Sequence, residues 1–258
     1  MQHQIITTSD GSHTLFVPKL NEHYHSVNGA IQESQHIFIN AGLKHILNDL
    51  ESNNSRNKPT INILEIGFGT GLNALLTLLE TEYSSINIFY NSIELFPISL
   101  EDAEKLNYPI QLIQFQQKVI EFNESDLEKS DLIEFKSIDS KRITELFLKL
   151  HKTLWEEEIA ITTNFSLLKQ KIDFSNPSQF KPDKLFDLIY FDAFAPEKQP
   201  EMWAKAVFNK IYSLCNTNAV FTTYCAKGVI RRMLQEEGFK MERLPGPPGK
   251  REILRGIK

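Results

Sequence analysis

The chain has 258 residues, 41% of them hydrophobic, which is enough for one large hydrophobic core with or without a small appendage. Its formal net charge of −5 argues against a protein whose whole surface binds nucleic acid, although a local basic patch can coexist with that total. The first residues lack a signal-peptide pattern and no apolar run reaches membrane-spanning length, so we expect a cytoplasmic protein without a membrane partner. Two cysteines are too few for a disulfide framework, and we predict no metal site.

The N-terminal part of the chain is predicted to form a separate small unit, residues 1–57. Weak alternation over 4–18 predicts a β-hairpin, and a polar loop follows it. An apolar pattern at helical spacing then predicts a helix over 35–50. The Asn- and Ser-rich stretch 52–57 is predicted to be a linker, so the main domain is expected over 58–258.

In the main domain, strand and helix patterns alternate, which is typical of an α/β fold. The predicted strands are 61–66, 86–94, 165–170, 186–191, 219–225, 239–244 and 252–257. The predicted helices are 72–80, 97–106, 201–214 and 228–237. A Pro- and Gly-rich turn joins the last two strands, so the seven-stranded sheet should end in an antiparallel strand.

A long insertion, about 109–161, interrupts this alternation. It is rich in Lys, Glu and Phe and has helical spacing over 143–154. Two interpretations stay open: a helical insertion on the substrate side of the sheet, or a solvated cover, and we favour the cover.

The most informative motif is Glu65-x-Gly67-x-Gly69-x-Gly71, between the first strand and helix of the main domain. A chain that reverses sharply while its backbone contacts a ligand needs residues without a Cβ atom. A dinucleotide-binding loop would need glycine where Leu72 stands, and a phosphate-binding loop would end in Gly-Lys-Ser/Thr. The remaining pattern resembles motif I of class I S-adenosylmethionine (SAM) methyltransferases. The alternative is an ordinary strand-to-helix turn.

Acidic residues at the ends of other strands extend this site, because ligands of open α/β sheets lie beyond the carboxyl ends of the strands. Glu94 follows the glycines at the distance from which an acid can accept both ribose hydroxyls of a nucleoside. Its alternative role is that of an acid at the start of the following helix.

The segment Asp192-Ala-Phe194-Ala-Pro places a carboxylate and an aromatic ring at the same sheet edge. This pair suits methyl transfer to nitrogen, since an amine must lose a proton to expose its lone pair and a carboxylate can accept that proton. The face of the Phe194 ring attracts cations and can bound a sulfonium or a flat base. The structural alternative is that Asp192 caps the next helix and Phe194 lies in the core.

Several motifs together are similar to the MnmC-type methyltransferase family of tRNA wobble-uridine modification. They span 65–73, 92–97, 191–203 and 246–256, and the loop 24–34 is similar to that family's N-terminal lid. The resemblance implies a Rossmann-like class I SAM methyltransferase fold. It also implies SAM-dependent N-methylation of 5-aminomethyl-(2-thio)uridine at the wobble position of tRNA, giving 5-methylaminomethyl-(2-thio)uridine. The FAD-dependent oxidase domain that makes this amine in two-domain members is expected to be absent from this chain.

The same resemblance implies roles for individual residues. Asp192 and Phe194 would be catalytic, and the cofactor-binding residues would be Glu65, Gly67, Gly69, Gly71, Asn73, Glu94, Gln170 and Asp192. The substrate-binding residues would be Tyr24, Ser26, Glu33, Lys250 and Arg251, and the partner would be tRNA, through its anticodon loop. Gln170 stands where the family usually has an acid, and its carbonyl can still accept a hydrogen bond from adenine. Lys250 and Arg251 belong to a basic C-terminal segment that can hold RNA phosphates, or else they lie on a solvated hairpin.

Two further functions stay open at this level. One is methylation of a small-molecule amine, which the negative net charge favours. The other is a catalytically silent binding protein that kept the fold, which Gln170 favours.

Overall fold

A computed structural model describes residues 3–52, 59–122 and 139–258. Its strands are β1 (Gln4–Thr7), β2 (His13–Val17), β3 (Glu22–His23), β4 (Thr60–Ile66), β5 (Asn87–Ile93), β6 (Glu158–Ala160), β7 (Phe165–Gln170), β8 (Phe186–Phe191), β9 (Cys215–Thr223), β10 (Lys240–Pro245) and β11 (Glu252–Ile257). Its α-helices are α1 (Ala30–Ser34), α2 (Lys44–Ser52), α3 (Leu72–Thr81), α4 (Leu100–Glu104), α5 (Tyr108–Phe122), α6 (Ser140–Lys152), α7 (Lys205–Leu214) and α8 (Gly228–Glu237). Within these ranges, no helix is both long and apolar enough to span a bilayer.

In the described ranges, the main sheet has eight strands in the order β10-β11-β9-β8-β4-β5-β7-β6. The pairs within β9-β8-β4-β5-β7 are parallel, and β11 lies antiparallel between β9 and β10, which confirms the predicted antiparallel end. The predicted count of seven strands is wrong by one, because β6 adds an antiparallel strand at the edge of β7. With only three residues, β6 is too short to show a strand period in the sequence.

Helices cover both faces of this sheet, because its central strands bury apolar side chains on both sides. The N-terminal helices, α3 and α6 contribute to the core on one face. The apolar stripes of α7 and α8 fill the core on the other face. The domain thus has three layers, and the helices cover the faces of the sheet. The carboxyl ends of its parallel strands stay accessible to a ligand.

The N-terminal segment forms the predicted hairpin and a helix longer than expected. β1, β2 and β3 pair as a three-stranded antiparallel sheet. The helix runs without a break through α1, a π-helical stretch (Gln35–Leu43) and α2. Ile31, Ile37 and Phe38 from this helix share the core cluster of α3, so the segment packs into the main domain. The predicted domain boundary at 57 lies outside the described residues.

The described part of the insertion contains α5, α6 and β6. Ile143, Leu146, Phe147 and Leu150 form one apolar stripe of α6 and are buried in the core. The interpretation of this segment as a solvated cover is therefore wrong for α6, because its stripe has neighbours on α3 and α5. Residues 123–138 of the insertion lie outside the described residues.

Candidate active site

A cavity of about 690 Å³ opens at the carboxyl ends of β4, β5 and β8. The residues that follow these three strands form its floor. The N-terminal loop 22–27 and Lys250 of the C-terminal turn contribute the opposite wall. Ten of the sequence-predicted site residues line this cavity: Tyr24, Ser26, Glu33, Gly67, Gly69, Asn73, Glu94, Asp192, Phe194 and Lys250.

The glycine loop needs glycine for two reasons at each position. Gly67, Gly69 and Gly71 all have positive φ angles, of 99°, 50° and 73°. A Cβ atom at Gly67 would lie 2.6 Å from the carbonyl oxygen of Asp192, and one at Gly71 would lie 2.9 Å from Nε2 of His151. Gly67 and Gly69 line the cavity, whereas Gly71 starts α3 and faces the interior. The structure therefore brings two of the three glycines to the cavity wall.

Glu94 ties the glycine loop to the end of β5. Its Oε2 accepts a hydrogen bond from the backbone N–H of Gly69 at 3.0 Å, and its Oε1 accepts one from the N–H of Phe96 at 2.9 Å. A carboxylate oxygen can accept more than one hydrogen bond, so both oxygens keep capacity for hydroxyl donors from the cavity.

Asp192 follows β8 and has a carboxyl group that titrates near neutral pH. Nδ2 of Asn73 donates to its Oδ2 at 2.9 Å. Burial raises the pKa of Asp192 to about 7, and the nearby charge of Glu33 adds to this rise, while Asn73 and Lys250 oppose it. A carboxyl group with this pKa can accept and release a proton at physiological pH.

The loop after Asp192 is held by two aromatic side chains. The carbonyl oxygen of Phe194 accepts from Nε1 of Trp203, and that of Ala193 accepts from the hydroxyl of Tyr224, both at 2.8 Å. The Phe194 ring lines the cavity and meets Tyr24 edge to face, with 5.1 Å between ring centroids. The structure thus places Phe194 in the cavity wall and not in the core.

An ion pair fastens the N-terminal loop to the C-terminal turn. Glu33 is buried, and its Oε2 accepts from the backbone N–H of Ser26 at 2.7 Å. Its Oε1 lies 3.2 Å from Nζ of Lys250, which also lies 4.7 Å from the centroid of the Tyr224 ring. Lys250 is therefore part of the cavity wall, whereas its neighbour Arg251 is exposed and outside the cavity.

Besides Gly71, two predicted cofactor residues, Glu65 and Gln170, do not line the cavity. Glu65 is fully buried and accepts from Oγ of Ser92 at 2.6 Å; burial raises its pKa to about 8. Gln170 interacts instead with Asn91 at 3.2 Å and Glu156 at 3.4 Å. Neither side chain is part of the cavity lining, so the role of Glu65 and Gln170 in cofactor binding stays a prediction.

Two loops contribute polar cavity residues that the sequence analysis did not predict. After β7, the chain reaches the cavity only at Ile172, Asp173, Phe174 and Ser175. Asp173 is the first acid after β7, and its position after a strand end could have identified it as a candidate site residue. Lys198, Gln199, Glu201 and Met202 line the cavity from the loop after β8. In the described part of the chain, no group of three His, Cys, Asp or Glu side chains is arranged to hold a metal ion.

Comparison with known proteins agrees with this geometry. Residues 140–258 match the family model described as S-adenosyl-L-methionine-dependent methyltransferase. Over 239 residues the chain is 30% identical to the tRNA 5-methylaminomethyl-2-thiouridine biosynthesis bifunctional protein MnmC of Idiomarina loihiensis, covering 90% of this chain and 35% of that protein. The chain is similar to MnmC-like SAM-dependent methyltransferases over most of its length.

Other MnmC-like proteins extend the match. The MnmC protein of Burkholderia thailandensis is 26% identical over 257 residues, covering 98% of this chain and 34% of that protein. The chain thus spans about a third of the length of these curated relatives. A crystal structure of MnmC2 from Aquifex aeolicus has the same fold, with a TM-score of 0.69 at 23% identity, covering 99% of this chain and 70% of that one. The predicted family and the predicted fold class are confirmed.

Proposed function

We propose that this MnmC-like chain is a SAM-dependent N-methyltransferase acting on 5-aminomethyl-(2-thio)uridine at the wobble position of tRNA. The product would be 5-methylaminomethyl-(2-thio)uridine. The observation that carries the proposal is the position of Asp192, whose carboxylate is held by Asn73 in the wall of the cavity that the glycine loop also lines. The nucleoside is taken from the name of the MnmC relatives, which states the biosynthesis of tRNA 5-methylaminomethyl-2-thiouridine.

The residues of the cavity fit a nucleoside cofactor that carries a positive charge. Gly67 and Gly69 present backbone that a Cβ atom would obstruct, and Glu94 keeps acceptor capacity for ribose hydroxyls. We assign Asp173, instead of Gln170, to the adenine side, because β7 lies next to β5 and Asp173 lines the cavity. When bound, SAM supplies a methyl group activated by a sulfonium.

Asp192 is proposed to take the proton that the reaction releases. An ionised Asp192 accepts one proton from the ammonium group of the substrate, which exposes the lone pair, and Asn73 holds the carboxylate in place through its 2.9 Å hydrogen bond. The lone pair then forms a bond to the methyl carbon as the carbon–sulfur bond breaks, the sulfur leaves as a neutral thioether, and the methylated amine keeps its two remaining protons and the positive charge. The negative charge of Glu33 helps to attract the protonated amine before Asp192 accepts its proton.

Tyr24 and Phe194 are proposed to bound the target base. Their edge-to-face contact closes one side of the cavity with two rings. A uridine of the anticodon loop must leave its stack to reach such a cavity, and aromatic walls favour a base that has done so. The volume of about 690 Å³ lies within the range of specific ligand pockets.

The test is mass spectrometry of tRNA nucleosides from a strain that lacks the gene. We expect 5-aminomethyl-(2-thio)uridine to accumulate and the methylated nucleoside to return when the wild-type gene is restored, but not when Asp192→Ala is restored. An unchanged nucleoside profile would refute a tRNA substrate. Methylation of small amines by the purified chain, insensitive to added bulk tRNA, would then identify the small-molecule alternative.

A further inference from the structure

A lysine is buried behind the glycine loop, outside the chemistry assigned above. Lys169 is only 1% exposed and lies in β7, on the face that also buries Phe165 and Leu167. Removal of an ammonium group from water is unfavourable unless other groups compensate for the lost hydration. The contacts of Lys169 therefore require an explanation.

Three elements meet at this ammonium group. Nζ of Lys169 donates to the backbone carbonyl of His151 in the last turn of α6, at 2.9 Å. The same atom lies 4.9 Å from the ring of Trp155 and 5.4 Å from the ring of Phe68. A helix carboxyl terminus and the face of an aromatic ring both favour a cation. Lys169 thus connects the end of α6 to the glycine loop.

The ring of Phe68 belongs to the loop that the cofactor is proposed to contact. Phe68 stands between Gly67 and Gly69 and is part of the cavity lining. His151 supports the same loop, because its Nε2 lies 3.1 Å from the carbonyl oxygen of Thr70 and its ring packs against Phe68. The loop is therefore held from behind by Lys169 and by the helix end that Lys169 binds.

We infer that Lys169 is a positioning residue that holds the glycine loop in its cofactor-binding conformation through Phe68 and the end of α6. The inference rests on the proposed function, since it concerns affinity for SAM. A loop that is already ordered loses less conformational freedom on binding, so its support raises affinity without contact to the ligand.

The charge of Lys169 makes this support dependent on pH. Burial lowers the pKa of Lys169 to about 8, so the ammonium form prevails below this pH and is lost above it. The titratable groups near it are His151, whose pKa burial lowers to about 4, and Glu156, whose backbone N–H donates to the Lys169 carbonyl. Glu65 lies beyond Ser92, the neighbour of Lys169 on β5, and burial raises its pKa to about 8, so the pH test compares proteins that share Glu65. Since His151 is neutral throughout the range above pH 6, we expect SAM affinity to fall as the pH rises through about 8.

The experiment compares three variants with the wild-type chain by calorimetric titration with SAM at pH 7 and pH 9.5. For Lys169→Met we expect a dissociation constant about three- to thirty-fold higher at pH 7, the range that a cation–π contact supports. Its melting temperature should equal or exceed that of the wild type, because an apolar side chain replaces a buried charge. Lys169→Arg should keep most of the affinity and lose the pH dependence specific to the wild type. Lys171→Met is the matched control, because Lys171 is exposed and lies just after β7. This variant should bind SAM with the affinity of the wild type.

Unchanged affinity in Lys169→Met would overturn the inference, and so would a loss of affinity that only accompanies a lower melting temperature. The wild type and Lys169→Arg share every other titrating group, including those of the ligand. Identical pH dependence in these two proteins would therefore also refute the inference, even if Lys169→Met failed to fold. Absence of SAM binding by the wild-type chain would instead refute the proposed function.

Discussion

Two neighbouring regions of the molecule each contain an acid with a raised pKa: the buried core at the end of β4, and the cavity next to it. Glu65 near the end of β4 is fully buried, and Asp192 directly after the neighbouring β8 lines the cavity. Burial raises the pKa values of both, to about 8 and about 7. The difference teaches that a raised pKa becomes chemically useful only where the side chain meets a ligand space. The two acids therefore allow a direct test of the proposed chemistry.

The largest effect should come from Asp192→Asn, which removes the proton acceptor and keeps the shape of the side chain. We expect kcat to fall by a factor of about 10² to 10⁴, the usual contribution of a general base. SAM affinity, measured by calorimetry, should change by less than about threefold, within the few tenths of a kcal/mol expected when no ligand contact is lost. A loss of SAM binding equal to the loss of rate would move Asp192 into the cofactor site.

The pH profile should show the titration of Asp192 directly. Because only the ionised carboxylate accepts a proton, kcat/KM should rise about tenfold per pH unit up to about pH 7. This is measured with tRNA that carries the amine, at saturating SAM. This rise of kcat/KM with pH, the acidic limb of the profile, should remain in Glu65→Gln. Its disappearance there would assign the acidic limb to Glu65 and break the distinction between the two acids.

Glu33→Gln tests the charge next to Asp192. Removal of this negative charge should lower the pKa of Asp192, so the acidic limb of the profile should move to lower pH. The variant also loses the ionic contact with Lys250, and we expect kcat/KM for tRNA to fall by about tenfold, as for a modest charge-assisted contact. Lys250→Met is the matched control, since it breaks the same pair but should move the limb in the opposite direction.

The smallest effect on activity should come from Glu65→Gln. At neutral pH Glu65 is protonated, and glutamine is a neutral side chain of nearly the same shape, so activity should stay within about threefold of the wild type.

The same variant has a distinct signature in stability. The pKa of Glu65 is higher in the folded chain than its ordinary 4.5, so its stabilising contribution is complete below 4.5 and is lost as the pH rises through about 8. Denaturant unfolding of Glu65→Gln should therefore show an advantage over the wild type that grows to a few kcal/mol at pH 9. Equal stability of the two proteins at all pH values would contradict the protonated state of Glu65.

Most of the cofactor side of the cavity was predictable, because its demands are local. The loop between β4 and α3 has residues with positive φ angles, and these favour glycine. The sequence shows glycine at two such positions, Gly67 and Gly69. Glu94 and Asp192 were found because parallel strands end at one edge of a sheet. The loop after β7 lines the cavity at Asp173 and Gln170 does not, because the periodicity of a strand does not describe the path of the loop that follows it.

The other side of the cavity depends on contacts between distant parts of the chain. The pair of Glu33 and Lys250 and the contact of Tyr24 with Phe194 join segments that no short-range pattern relates. The core position of α6 was not predicted for the same reason. An apolar stripe at helical spacing predicts a helix but does not indicate which surface that helix covers.

The sequence by itself determined most strands and helices of the main domain, the glycine loop and the acids at the strand ends, because backbone conformation and side-chain periodicity are properties of neighbouring residues. Only the tertiary structure decided which acid meets the cavity, which cation pairs with Glu33 and what surrounds Lys169. Those outcomes follow from packing between elements, and burial there sets the pKa values on which the proposed chemistry depends.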